Sequence, residues 1–429
     1  MQPAGHDAIE ASASSPDDTL PSDKPVMLPA AFRRLAWSNL AAQSAEQVAL
    51  AASPIVAVLA FGADDGRAGL LQVAQTLPFV LFAIPIGLLA DRVSRAALMA
   101  VAEALRAASL LLIVAFLAAG WLNLPVLALL GFVGACGTVG YSVAAPALVP
   151  ALVPSGHLPL ANGRIELART VAFTAGPALG GVLVGWAGAS PAFGCAAALS
   201  VAAVLLLAGI REPAAGRIVS RRHPVREIAE GAGFVFRHPL LRPVFTTQIV
   251  FNAGFFAVLA VFVPYAVRQL DLSATGVGFT LAAYGCGLIS GALLSAPLIR
   301  RVRFGTVIGI GPAAGFVASV ILALTIVVPS PILAALGWFV LGIGPIQWTI
   351  STTTLRQLVT PPELLGRVSA INIMSYGARP LGAAIGTGVG AVAGAEASLI
   401  VAAGFFLAQA VMVLASPLVR LDERPVPVR

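Results

Sequence analysis

Charge is scarce in this chain: Lys, Arg, Asp and Glu fill only 10% of 429 positions, while 58% are hydrophobic. A soluble core cannot hide that much apolar surface, so a soluble domain is excluded. Cysteine is nearly absent. Cys136, Cys195 and Cys286 are odd in number and spread singly through apolar runs, which excludes a disulfide framework or a cysteine-held metal and leaves them as packing residues. His6, His157, His223 and His238 fall in the N-terminal tail or in polar loops, where none reads as a metal ligand. The chain also lacks a Walker-type phosphate loop, a nucleophile elbow and a His-Glu-x-x-His helix. ATP hydrolysis and membrane-embedded hydrolase chemistry therefore have no support. No enzymatic activity, no cofactor and no metal are expected.

What is present is a series of long apolar runs. Twelve can be drawn, at 35–61, 67–90, 96–119, 124–148, 165–188, 191–210, 243–265, 275–299, 305–328, 331–358, 368–393 and 397–419, each long enough to cross a hydrocarbon core of roughly 30 Å as a helix. The spacing predicts an all-α membrane protein with twelve transmembrane helices in two six-helix bundles. Its parts are a disordered tail (1–31) that does not resemble a cleaved signal peptide, a first bundle (32–210), a basic linker (211–242), a second bundle (243–419) and a short tail (420–429). The net charge of +7 is no mark of nucleic-acid binding, because the arginines gather in loops of one parity. With the N-terminus inside, about 20 basic residues fall on the cytoplasmic side and only Arg67 and Arg268 outside. Both termini are thus expected in the cytoplasm of a bacterial inner-membrane protein. In the linker, Val225, Ile228, Ala229, Ala232, Val235 and Phe236 recur at helical spacing, which predicts an amphipathic helix lying on the inner leaflet.

The two halves repeat each other. Asn162-Gly163-Arg164 matches Leu365-Gly366-Arg367, after which Pro177 falls on Pro380 without a gap; Asp91-Arg92-Val93 falls on Arg300-Arg301-Val302. Parallel repeats of this size point to a transporter whose substrate sits between the halves near the midplane. The junction Gly87-Leu88-Leu89-Ala90-Asp91-Arg92-Val93-Ser94-Arg95 resembles the Gly-x-x-x-Asp-Arg-x-x-Arg loop of the major facilitator superfamily. That resemblance implies the major facilitator fold, with Gly87, Asp91, Arg92 and Arg95 as gating residues. The second half carries Arg300 in place of the acid, so an equivalent latch is not expected there. Gly176-Pro177-Ala178-Leu179-Gly180-Gly181 resembles the Gly-Pro-x-x-Gly-Gly motif of proton-driven exporters of that superfamily, which singles out Gly176, Pro177, Gly180 and Gly181 in the fifth helix. The fourth helix has no arginine in Leu129–Ala135, unlike typical drug/proton antiporters. Glu103-Ala104-Leu105-Arg106 and Ala161-Asn162 are similar to the siderophore-exporting branch.

Counting 1.5 Å of rise per residue puts Glu46, Arg106, Asn252, Gln347, Arg379 and Gln409 near mid-membrane, with Gln43, Glu103 and Gln248 close by. Charges at that depth face a cavity or a partner. Glu46 and Glu103 are candidates for proton coupling, since a carboxylate there can take up and lose a proton as access alternates. For Glu46 the alternative is a permanent ion pair with Arg106 or Arg379. Gln43, Arg106, Gln248, Asn252, Gln347 and Arg379 are candidates for the substrate cavity. The expected function is export of a small organic molecule, a siderophore or drug-like compound, by proton antiport with alternating access. The alternatives are a metabolite importer or uniporter of the same fold, or a non-transporting membrane sensor or partner subunit. The expected partners are the small-molecule substrate, protons and membrane lipid, with no nucleic acid and a monomeric state.

Overall fold

The computed structural model describes residues 28–90, 92–154, 157–211, 224–361 and 364–422. The first half contains α1 (Ala30–Leu59), α2 (Asp65–Ala90), α3 (Arg95–Ala118), α4 (Leu124–Leu152), α5 (Leu158–Ala187) and α6 (Ala189–Ala208). A short helix follows, α7 (Pro224–Arg237), and then α8 (Leu241–Arg268), α9 (Ala274–Arg301), α10 (Phe304–Leu324), α11 (Pro331–Val359), α12 (Leu365–Met374) and α13 (Ala378–Leu414). Polar residues between apolar runs set several starts. The Ser94 side chain accepts from the Ala97 N–H at 3.3 Å, Asn123 from Val126 at 3.0 Å and Ser273 from Gly276 at 3.2 Å, each occupying an amide that the first helical turn leaves open.

Eleven helices are long and apolar enough to cross a membrane, yet the number of crossings is twelve, because α13 turns back on itself. Gly394 sits at φ 86° inside it, a left-handed conformation that glycine adopts without steric cost. The Ser398 hydroxyl donates to the Gly386 carbonyl at 2.7 Å. In a straight helix twelve residues would separate those groups by roughly 18 Å, so the arms before and after Gly394 are antiparallel. The eleventh crossing is itself interrupted: a 3₁₀ turn over Ser375–Gly377 separates α12 from α13. An even number of crossings puts Leu28 and Asp422, at the two ends of the described residues, on one face, here called the termini face.

Each half packs chiefly within itself, α1 against α5 and α6, α3 against α4 and α6, α8 against α13, and α11 against α9 and α10. The halves touch through α5 with α9 and through α2 with α8 and α13. These contacts favour the face opposite the termini. There Asp65 pairs with Arg268 at 2.8 Å, the Arg268 guanidinium also donates to the Ala63 carbonyl, and a Cβ on Gly66 would lie 2.9 Å from the Ala391 methyl. At the α5–α9 crossing, a Cβ on Gly181 would come within 2.6 Å of the Ala274 carbonyl and 2.7 Å of Gly278 Cα. Only glycine lets these backbones touch. Among the described glycines nearer the termini, such as Gly87 and Gly163, none would touch the other half in this way. The described contacts between the halves therefore gather at the face opposite the termini.

Three local expectations change. The fifth helix begins at Leu158 rather than near 165, so Asn162-Gly163-Arg164 lies within its first turns. The fourth runs on to Leu152. The linker helix α7 exists, but its apolar side packs on protein: Val235 is buried in a cluster with Leu241, Val244 and Val368, flanked by Ile228 and Ala232. Glu230 bonds Arg367 of α12 at 2.7 Å. Protein contact on this scale removes the same apolar face from water that the inner leaflet was expected to cover.

Candidate functional site

Between the bundles lie two polar centres, one in each half. In the first, Arg106 of α3 is 4% exposed and Glu103, one turn earlier, is fully buried. The Arg106 guanidinium donates to Glu103 at 2.5 and 3.2 Å, to Glu46 Oε2 of α1 at 3.4 Å, to the Thr138 hydroxyl of α4 at 3.1 Å and to the Ala42 carbonyl at 2.9 Å. Ser200 of α6 donates to Glu103 at 2.6 Å. A buried guanidinium is tolerated where its donors are satisfied and its charge is paired. Here one cation serves two carboxylates. Glu103 is enclosed, whereas Glu46 keeps 19% of its side-chain surface exposed, so Glu46 is the more accessible of the two acids. Gln43, one turn before it on α1, is half-buried.

The second centre faces it from the other half. Arg379, at the start of α13, makes no ion pair among the described residues. Its guanidinium instead sits over three rings, Tyr376 at 4.0 Å, Phe79 of α2 at 4.8 Å and Phe256 of α8 at 5.3 Å, and its Nε donates to Asn252 Oδ1 at 3.3 Å. The Asn252 amide nitrogen in turn donates to the Gln248 carbonyl at 2.9 Å. Aromatic faces hold a cation without neutralising it. Because Phe79 belongs to the first half, this cage spans the gap between bundles. Arg169 of α5 pairs with Glu166 at 2.5 Å and lies 5.4 Å from the Phe173 ring, whose neighbour across the halves is Tyr284 at 6.2 Å.

Beside Arg379 is a cavity of about 130 Å³, lined among others by Gln248, Asn252, Trp348, Tyr376 and Gln409. Gln347 is not among its walls. It is buried in α11, its Nε2 donating to the Gly291 carbonyl at 2.6 Å and its Oε1 accepting from Ser295 at 3.1 Å, so it braces α11 against α9 instead of facing a ligand. Rise along the helix gave its depth correctly but not the side to which it points.

In the exporter-like segment of α5, Gly176 and Gly180 abut α1: a Cβ on Gly176 would strike Gln47, and one on Gly180 would come 2.9 Å from the Val48 carbonyl. Gly181 faces α9 of the other half, and the Pro177 carbonyl lies 2.6 Å from where a Cβ on Gly278 would be. The segment thus joins α1, α5 and α9 where the halves meet. Of the gating candidates, Gly87 has open space beside it, Arg92 is exposed and Arg95 half-buried, and Asp91 lies outside the described residues. Thr138, Ser200, Tyr376, Phe79 and Phe256 carried no sequence signal as site residues, since hydroxyls and rings are common in membrane helices.

Over 262 residues the chain is 27% identical to the enterobactin exporter EntS of Escherichia coli, a match that covers 59% of this chain and 60% of that one. It thus spans about three-fifths of that relative's length. The multidrug efflux pump Tap of Mycobacterium bovis is 28% identical over 368 residues, 81% of this chain and 84% of the pump. The crystal structure of the nucleoside transporter NupG superposes with a TM-score of 0.71 over 90% of this chain and 99% of that one, at 14% identity, a likeness of fold. The family model described as Major Facilitator Superfamily matches residues 35–387. The chain, two six-helix bundles with a polar centre in each, is a multi-pass membrane protein belonging to the major facilitator superfamily of transporters.

Proposed function

We propose that this transporter exports a small organic molecule, siderophore-like or drug-like, across the bacterial inner membrane in exchange for protons, with its termini face in the cytoplasm and Glu46 carrying the proton. The observation behind this reading is the charge count around Arg106. With Glu103 and Glu46 both ionised, the cluster holds one excess negative charge, and that charge rests on the more accessible acid. A proton on Glu46 leaves Arg106 and Glu103 as a neutral buried pair; its release restores a negative charge opposite the unpaired Arg379. Cargo entering from the termini face competes for Arg379, and re-protonation of Glu46 from the other side resets the balance. Export is favoured by the Gly176–Gly181 segment and by the exporters among the relatives. Gly87, Asp91, Arg92 and Arg95 are the gate that closes the termini face.

The experiment is proton movement in liposomes holding the purified protein, driven by siderophores or amphiphilic drugs on one side. Glu46→Gln is expected to exchange cargo while moving no protons, and Asp91→Asn to fold normally but cycle slowly. Proton flux in Glu46→Gln equal to that of the unmodified protein would remove Glu46 from the mechanism. Cargo exchange with no proton movement in either protein would favour a uniporter.

A further inference from the structure

The repeat brings Arg106 onto a glycine. Helix α3 begins at Arg95 and α10 at Phe304, and the same number of residues on, at Arg106 in one, stands Gly315 in the other. By the same count from Leu124 and Pro331, Thr138 of α4 falls on Pro345 of α11. The first-half cluster draws on the first, third, fourth and sixth crossings of its bundle. The 130 Å³ cavity draws on the same four crossings of the other, through Asn252, Gly311, Trp348 and Gln409, with Tyr376 and Arg379 added from the fifth. One half fills this place with a guanidinium; in the other, Phe406 and Gln409 close over Gly315, and the hollow lies one turn before it, at Gly311.

The hollow is not apolar. Gln409 is 2% exposed, its Oε1 has no hydrogen-bond partner, and its amide nitrogen makes no hydrogen bond among the described residues. Its Oε1 lies 3.5 Å from where a Cβ on Gly315 would be, the position from which Arg106 reaches into the first-half cluster. Its Oε1 is closed off by protein, and the amide nitrogen is the atom left to the cavity; a donor unpaired there costs roughly 1–3 kcal/mol, a penalty that a ligand bearing an acceptor removes. The space suits a small group: a cavity of about 150 Å³ holds one benzene, and this one, of about 130 Å³ and open on one side, is of the size that takes a single ring. Phe251, Pro345 and Trp348 supply apolar walls, while the exposed Thr349 and half-buried Gln248 mark the open side.

We propose that this second-half cavity is a binding subsite for a single neutral ring carrying a hydroxyl, which accepts from the Gln409 amide nitrogen while the rest of the molecule extends past Arg379 into the space between the halves. The proposal refines the transport reading by naming the part of the cargo that is recognised, and its test does not depend on transport. The probe is 4-fluorophenol, followed by fluorine NMR on the full chain in lipid nanodiscs, with 4-fluorotoluene as the same shape without the hydroxyl and unlabelled phenol as competitor. Expected is saturable, phenol-displaceable binding of 4-fluorophenol that weakens about tenfold in Gln409→Leu, the size of one good hydrogen bond, with 4-fluorotoluene unaffected. Gln409→Met provides a second variant should the leucine protein fail to fold. Equal binding of both probes, unchanged by the substitutions, would make the cavity a packing void. An absence of displaceable binding would make it a hydrated pocket. Either result overturns the subsite but leaves proton-coupled transport standing, whereas normal 4-fluorophenol binding with no cargo movement in liposomes would overturn the transport reading alone.

Discussion

The two bundles share a topology and treat their interiors in opposite ways. In the first, Arg106 meets Glu103, Glu46, Thr138 and the Ala42 carbonyl, and each of its three nitrogens finds an acceptor. In the second, glycine and proline replace the arginine and threonine, an amide is left unpaired, and the arginine of that half sits at the edge among aromatic rings. A satisfied polar core is rigid. An unsatisfied one is open to a visitor. On the function proposed above, the proton belongs to the filled half and the cargo to the hollow one.

The comparison breaks most visibly at Arg106. Arg106→Met leaves Glu103 buried without its cation, which is expected to cost roughly 3–5 kcal/mol and to lower the thermal midpoint and the monodisperse yield in detergent. Adding Glu103→Gln is expected to restore part of the loss. Arg379→Met sharpens the contrast, because it removes a cation that has no carboxylate partner among the described residues. Transport is expected to fall about tenfold while stability changes by no more than about 1 kcal/mol. If Arg379→Met unfolds the protein as Arg106→Met does, the two centres are equivalent structural cores and the division of labour fails. The smallest effect belongs to the pair that closes the far face. Asp65 and Arg268 are part-exposed, with 20% and 39% of their side-chain surfaces accessible, and exposed pairs contribute about 0–1 kcal/mol. Asp65→Asn is therefore expected to leave stability unchanged and to shift the balance modestly toward opening of that face, read as faster labelling of a cysteine introduced at Thr275.

The crossings were legible because hydrocarbon imposes a length on apolar runs, and the pairing of Glu103 with Arg106 because helix geometry puts residues three apart on one face. The start of α5 was misplaced because Asn162, Gly163 and Arg164 are polar enough to read as loop, yet a helix continues as readily in water as in lipid. Depth could be counted for Gln347 and Gln409 alike, but the direction each faces depends on neighbours far away in sequence. Hence the one chosen for the cavity braces two helices, and the one passed over lines the hollow. Glu46 was read either as a proton carrier or as a partner of Arg106. The geometry joins the two readings, because it is the weaker partner of an arginine already held by another acid. The aromatic cage could not be foreseen, since Phe79, Phe256 and Tyr376 come from distant segments.

The contact of Gly181 with Gly278 bears on speed. A seal formed by side chains must freeze their rotamers each time it closes and release them each time it opens. Backbone laid on backbone has no such freedom to lose. A carrier that seals in this way can close and reopen that face with little entropic resistance at that contact, so its turnover should depend only weakly on how well the face is packed.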